Sequence, residues 1–382
     1  MCIRDRAVAA GAVPFSLGTD TAGSGRVPAA FNQIVGLKPT PGRISTQGVV
    51  PACKTLDCIS IFAHTAADAN HVLSTIEGED PDDPYSSEII GAPRWQRNRL
   101  RVGIPSEGLA SLAVEYRSAW CEVISALTSA GHEVIETDFS LLFEIASLLY
   151  EGPWVAERYT VAENFLLDSP EALDSTVRKV IERGARFSAV DSFRAQYRLR
   201  ELAKQANDLW SSFDLLVVPT VTHHPTFAEV DRNPIAVNSA LGRYTNFVNL
   251  LGWAALALPA GSTTNGMPFG ITLIADHGYD VALSNLGDEW QKQVSLELGG
   301  TGCKQEAKLN TLLRVARTES WVRIAVVGAH LSGLPLNWQL VERGAYLVSQ
   351  SRTVPRYKLI ALPDSVPSKP GLIRTSTDGR PI

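Results

Sequence analysis

Residues Gly18–Asn32 read GTDTAGSGRVPAAFN. Within this stretch only Asp20 and Arg26 carry charge, and Thr21-Ala22-Gly23-Ser24-Gly25 is a run of small residues whose backbone amides can all turn inward. A nest of N–H groups of this kind suits a developing oxyanion, which needs donors about 2.7–3.1 Å away. Ser24 stands between two glycines, so its hydroxyl can be approached closely. Over AGSG alone a plain Gly/Ser turn reads the same way. The wider context favours a site: the first fifty residues are rich in Gly, Thr, Ser and Pro, with few charges. Buried irregular backbone is costly unless its amides are used.

Downstream, the pattern alternates between strand and helix. Leu100–Ile104 (LRVGI) reads as a strand, Ala113–Ala130 as a helix stopped by Gly131, and His132–Ile135 as a second strand. Ser175–Trp210 is charged and amphipathic, one or two helices packed on a surface. Asp214–Val218 (DLLVV), ending at Pro219, has the continuous apolar character of a buried parallel strand. Tyr244–Ala275 carries no charge, but its uninterrupted apolar part, Leu250–Leu258, falls far short of the ~20 residues a bilayer requires. It reads as a deeply buried helix, then a turn and a strand. Asp280–Val294 reads as a closing helix. These alternations predict an α/β fold. Gly299-Gly300-Thr301-Gly302 opens a linker, and Arg323 starts a new strand–loop–helix pattern, with further strands near Ala345–Val348 and Tyr357–Leu362. The expected division is a leader at 1–6 that need not be native, a main domain at 7–298, a linker at 299–322 and the start of a second domain at 323–382.

Composition narrows the class. Of 382 residues, 45% are hydrophobic and 20% charged, enough for a sizeable core, which excludes wholesale disorder. The net charge of −5 offers no basic excess to attract nucleic acid. The five cysteines, Cys2, Cys53, Cys58, Cys121 and Cys303, are irregularly spaced, and no pair has a partner at zinc-ligand spacing. They read as free thiols of a cytoplasmic protein without a metal.

The string SLGTDTAGSGRVPA (Ser16–Ala29) followed by GLKPTPGRIS (Gly36–Ser45) resembles the amidase signature family. DLLVVPT (Asp214–Thr220), NFVNLLGWAALALPAG (Asn246–Gly261) and GMPFGITLIA (Gly266–Ala275) resemble that family's later core segments. The resemblance implies a mixed twisted sheet covered by helices, with Ser24 as nucleophile and an oxyanion hole from the amides of Thr21, Ala22, Gly23 and Ser24. It implies no cofactor. Asp20 and Arg26 are read as an internal ion pair bracing the loop rather than as catalysts. In the family a neutral lysine activates the serine through a bridging serine in a cis peptide, both upstream of the nucleophile. Met1–Arg6 (MCIRDR) contains neither residue type, and His223-His224 is the only paired histidine candidate. The expectation is therefore a chain cut short at both ends, with no measurable amide hydrolysis of its own.

Three segments resemble the allophanate hydrolase branch of the family: TAGSGR (Thr21–Arg26), YEGPWVAERY (Tyr150–Tyr159) and IAVVGAHLSGLPLNWQLVERGA (Ile324–Ala345). The implied substrate is allophanate, a urea with a carboxylate on one nitrogen, converted to ammonia and carbon dioxide in urea degradation. The resemblance gives Tyr150 and Arg158 substrate-binding roles. A guanidinium can hold a carboxylate bidentately, as a lysine cannot. Tyr150 lies eight residues before Arg158, about two turns along one helical face. The competing readings are an Arg158–Glu157 ion pair and a core tyrosine. The tail resembles an incomplete γ-glutamylcyclotransferase-like α+β domain, with His330 as its polar loop candidate. VVGAHLSG lacks the G-x-G-x-x-G spacing of a dinucleotide loop. The implied partners are a second copy of the chain and a biotin-dependent urea carboxylase, with no nucleic acid or membrane. Another amide hydrolase, a transamidation subunit and a non-catalytic scaffold are the alternatives.

Overall fold

The structure, a computed structural model, describes residues 3–87, 93–95, 99–304, 336–341, 357–361 and 370–375. Residues 1–307 form one compact unit and 308–382 a second.

The first unit is built on an eight-stranded mixed sheet. Its strands are β1 (Phe15–Asp20), β2 (Val35–Lys38), β3 (Cys58–Ala63), β4 (Arg101–Pro105), β5 (Glu133–Thr137), β6 (Leu215–Pro219), β7 (Ala254–Ser262) and β8 (Pro268–Ala275). Their order across the sheet is β1-β3-β2-β7-β8-β6-β4-β5. Only β4 pairs in parallel, with β5 and β6; every other named pair is antiparallel. Both faces are covered, because side chains alternate along each strand. In β6, Leu215 and Val217 join one apolar cluster while Leu216 and Val218 join the other. The first cluster is closed by the helices Ala66–Ile76, Arg117–Ser129 and Asp280–Val294. The second is closed by Ser140–Glu151, Ala189–Asn207 and the short helix Asn246–Leu250.

The expected helix over Leu250–Leu258 is not there. The helix ends at Leu250, Gly252 turns at φ +69°, and Ala254 begins β7, which forms a hairpin with β8. A strand buried on both faces shows no alternation, so AALAL reads alike for either structure. The turn chemistry of Asn265-Gly266, with Gly266 at φ +81°, is the signal that marks a hairpin here.

Ile3–Ala9 is a helix, and Asp5, placed in the leader, is fully buried and accepts a 2.7 Å hydrogen bond from Asn32 Nδ2. Gly299 and Gly300, read as linker, donate their amides to Gln33 O and Ala9 O at 3.1 and 2.8 Å. In the second unit β9 (Tyr357–Ala361) pairs antiparallel with β10 (Pro370–Arg374). The strands expected at Arg323–Val327 and Ala345–Val348, and His330, lie outside the described residues.

His224 follows β6 and packs tilted against Phe31, ring centroids 4.5 Å apart, while its Nδ1 hydrogen-bonds the Tyr116 hydroxyl. Burial, helped by His223, pushes its pKa down from 6.5 to about 4, so the imidazole is neutral at pH 7. The unfolded ring binds a proton near 6.5 and the folded ring only near 4, so this contribution is complete above 6.5 and drains as pH falls towards 4. Partial solvent access keeps the loss to about 2 kcal/mol. Urea denaturation from pH 7 to 4 should show that loss in the native protein and a much flatter profile in His224→Phe.

Candidate active site

The Gly18–Asn32 segment leaves β1 at Asp20, at the end of the sheet where β1 and β2 finish and β3 and β7 begin. The Asp20 carboxylate then gathers the loop around itself. Its Oδ1 accepts from Gly23 N (2.7 Å) and Arg26 Nη2 (3.0 Å), and its Oδ2 from Gly25 N (3.1 Å) and Arg26 Nε (2.9 Å). Both side chains are fully buried. Arg26 also donates to Thr245 O at 3.0 Å and Asn249 Oδ1 at 2.7 Å. Asn249 Nδ2 returns a bond to Asp20 O at 2.8 Å, and Thr245 Oγ1 donates to Ala22 O at 2.6 Å. Each of the three guanidinium nitrogens therefore meets an acceptor, the condition under which burying charge is tolerated. Burial alone would raise the Asp20 pKa; the Arg26 guanidinium, with Lys38 and the Gly23 amide, reverses that and holds it below the ordinary 3.8.

Ser24 projects from this frame and is exposed. Among the described residues no side chain hydrogen-bonds its hydroxyl. Lys38 is wholly buried with Nζ on Pro39 O and Trp253 O at 2.9 and 2.8 Å. His224 is engaged with Phe31 and Tyr116 instead. Of the four amides in the expected oxyanion nest, that of Gly23 is committed to Asp20. The amides of Thr21, Ala22 and Ser24 meet no acceptor among the described residues.

Tyr150 and Arg158 do come together, but not along one helix. Gly152-Pro153 breaks the chain into two helices, Ser140–Glu151 and Trp154–Asp168, as a proline without an N–H demands. The Arg158 guanidinium lies 5.0 Å from the centre of the Tyr150 ring, and its Nη2 is 3.5 Å from the phenol oxygen. Arg158 forms no ion pair among the described residues, and its Nε is buried without a partner. The expected competitor is occupied elsewhere: Glu157 accepts from Thr55 N and Thr55 Oγ1, each at 2.7 Å. Tyr150 and Ala22 both pack against the second apolar cluster, so the Ser24 loop and the two helices share one support.

Between them runs the segment 51–57, which sequence reasoning did not single out. Asp57 accepts the Thr21 hydroxyl and the amides of Ala52 (2.8 Å) and Cys53 (3.2 Å). The Cys53 thiol contacts Trp154 O at 3.3 Å. Burial, then Glu157, pushes that thiol up to about 12, so it is no nucleophile at neutral pH. Thr245, Asn249 and Asp57 carried no spacing signal, because each meets the loop from far along the chain. Among the described residues no three His, Cys, Asp or Glu gather to hold a metal, and no helix is long and apolar enough to cross a membrane.

The serine loop on this sheet places the chain in a family: it belongs to the amidases, whose family description, Amidase, matches residues 6–283. A second description, Allophanate hydrolase C-terminal domain, matches residues 322–382. The chain is similar to the urea amidolyase of Lachancea kluyveri, 41% identical over 384 residues, covering 97% of this chain and 21% of that protein. It is likewise similar to the urea amidolyase of Saccharomyces cerevisiae, 43% identical over 382 residues, covering 96% of this chain and 21% of that one. Among solved structures, Kluyveromyces lactis allophanate hydrolase superposes with a TM-score of 0.77 at 38% identity, covering 99% of this chain and 63% of that one. The chain thus spans only about a fifth of the length of the two urea amidolyases.

Proposed function

We propose that this chain carries the nucleophile and the carboxylate-binding elements of an allophanate-hydrolysing site in urea degradation. The observation that carries the reading is Arg158: a guanidinium with no carboxylate partner among the described residues, set over Tyr150 on the same apolar support as the Ser24 loop. Allophanate needs a cation at one end and amide-recognising donors at the other. Arg158 binds the carboxylate, helped by the Tyr150 hydroxyl, and so presents the terminal carbamoyl carbon to Ser24. Ser24 Oγ adds to that carbon, and the resulting oxyanion is met by the amides of Thr21, Ala22 and Ser24, while Gly23 N–H keeps the loop closed on Asp20. The tetrahedral intermediate expels ammonia and leaves an acyl group on Ser24. Water then releases an N-carboxylated carbamate, which breaks down to ammonia and carbon dioxide.

A serine hydroxyl is a weak nucleophile until a base takes its proton. No base reaches Ser24 among the described residues, so we expect this chain alone to leave allophanate intact. Ammonia release that disappears in Ser24→Ala would overturn that expectation. Allophanate is what carboxylation of urea produces, so a biotin-dependent urea carboxylase is the partner reaction this reading calls for.

The substrate reading is tested by binding. Malonamate has the carboxylate and amide of allophanate, with a methylene in place of the bridging nitrogen. Titration calorimetry should show it binding far more tightly than propionamide. Arg158→Ala should weaken malonamate at least about tenfold, and Arg158→Lys should fall between. A preference for the uncharged amide would remove allophanate from consideration.

A further inference from the structure

Arg158 is useful only at the correct distance from Ser24, and the apolar cluster beneath both does not fix that distance by itself. The residue beside it does something more specific. Both oxygens of Glu157 are taken by one residue, Thr55, through its amide and its hydroxyl at 2.7 Å each. Thr55 sits in the segment 51–57, whose far end is closed by Asp57 on the amides of Ala52 and Cys53. Asp57 also takes the hydroxyl of Thr21, three residues before the nucleophile. Cys53 adds a second attachment to the first turn of the Arg158 helix, through Trp154 O at 3.3 Å. The result is a short hydrogen-bonded strap from the nucleophile loop to the helix that carries the guanidinium.

We propose that Glu157, gripping Thr55, is a positioning residue that sets the reach from Arg158 to Ser24 and thereby selects substrates whose carboxylate lies one atom from the scissile carbonyl. The inference rests on the carboxylate-binding reading of Arg158 given above. Successive helical side chains diverge by about 100°, so Glu157 can hold the strap while Arg158 points elsewhere. Two charge-assisted bonds to one residue fix the helix's rotation as well as its distance, which a single contact would not. The Glu157–Thr55 contact is solvent-exposed, so cutting it leaves the core intact.

The test compares malonamate with succinamate, which is one methylene longer, by titration calorimetry on the full chain. The native protein should prefer malonamate by about tenfold or more. Glu157→Ala should bring the two affinities within about threefold, chiefly by weakening malonamate, with little change in the thermal midpoint. Glu157→Gln should restore the preference, because its amide oxygen accepts from Thr55 N while its NH2 donates to Thr55 Oγ1. An unchanged ratio in Glu157→Ala, or equal weakening of both ligands, overturns the proposal. If the native protein binds malonamate no better than propionamide, the carboxylate reading itself fails and the proposal falls with it; that result is distinct from a native preference that survives Glu157→Ala.

Discussion

Asp20→Asn should destabilise the protein by roughly 3–5 kcal/mol, the usual effect of removing one partner from a buried ion pair. The reason is geometric as well as electrostatic. Asp20 receives four N–H donors, two on each oxygen. An asparagine keeps one oxygen but turns an NH2 towards the other two donors, wherever its amide is flipped. The Arg26 guanidinium, fully buried, is then left without a counter-charge. Urea denaturation at pH 7 measures the loss; a change below about 1 kcal/mol would mean that the Thr245 and Asn249 acceptors hold Arg26 without the carboxylate. The pH dependence gives a second check. The folded Asp20 pKa lies below its ordinary 3.8, so its stabilisation is present above 3.8 and is lost as pH falls through the folded value. Asp20→Asn should therefore be less stable near neutrality yet lose less further stability on acidification below 3.8.

That pair shows which parts of such a site can be read from sequence. Asp20 and Arg26 lie six residues apart in a loop poor in other charges, so their mutual pairing is a local inference. Their remaining partners, Thr245 and Asn249, come from more than two hundred residues away, and no periodicity announces them. The strand β6 was legible because its apolar run is short and ends at Pro219, whereas β7 was not, because a strand buried on both faces hides its alternation. The sequence spacing set Tyr150 and Arg158 two turns apart on one helix, whereas they stand on two. Gly152-Pro153 should have divided the helix, since proline disfavours helical backbone in the residue before it. The two side chains meet across a corner, which leaves the guanidinium resting on the Tyr150 ring.

Gly23→Ala is expected to disturb the Ser24 loop through both its backbone conformation and its packing. Gly23 has φ +129°, a conformation that L-residues rarely adopt, and an added Cβ would lie 2.7 Å from Thr245 Cβ and overlap the Thr245 hydroxyl. Gly131 supplies the control. It also has positive φ, +88°, but a Cβ there meets nothing within 4 Å. Gly131→Ala should therefore show the backbone cost alone, about 1–2 kcal/mol, while Gly23→Ala should show that cost plus a steric one, about 3 kcal/mol or more in total. The steric part cannot be relieved locally. Thr245 is held by its own bond to Ala22 O and by Arg26 on its carbonyl, and Gly23 O accepts the amides of Arg26 and Val27 at 2.9 and 2.8 Å. Moving Gly23 therefore moves the ion pair and the start of the helix after Ser24 together. Thr245→Ala in the Gly23→Ala background should recover only part of the loss, because it removes the hydroxyl and methyl but leaves Thr245's Cβ position and the backbone strain. Equal destabilisation by Gly23→Ala and Gly131→Ala in urea would show that the loop is not gripped by Thr245 and that its frame is softer than this geometry requires.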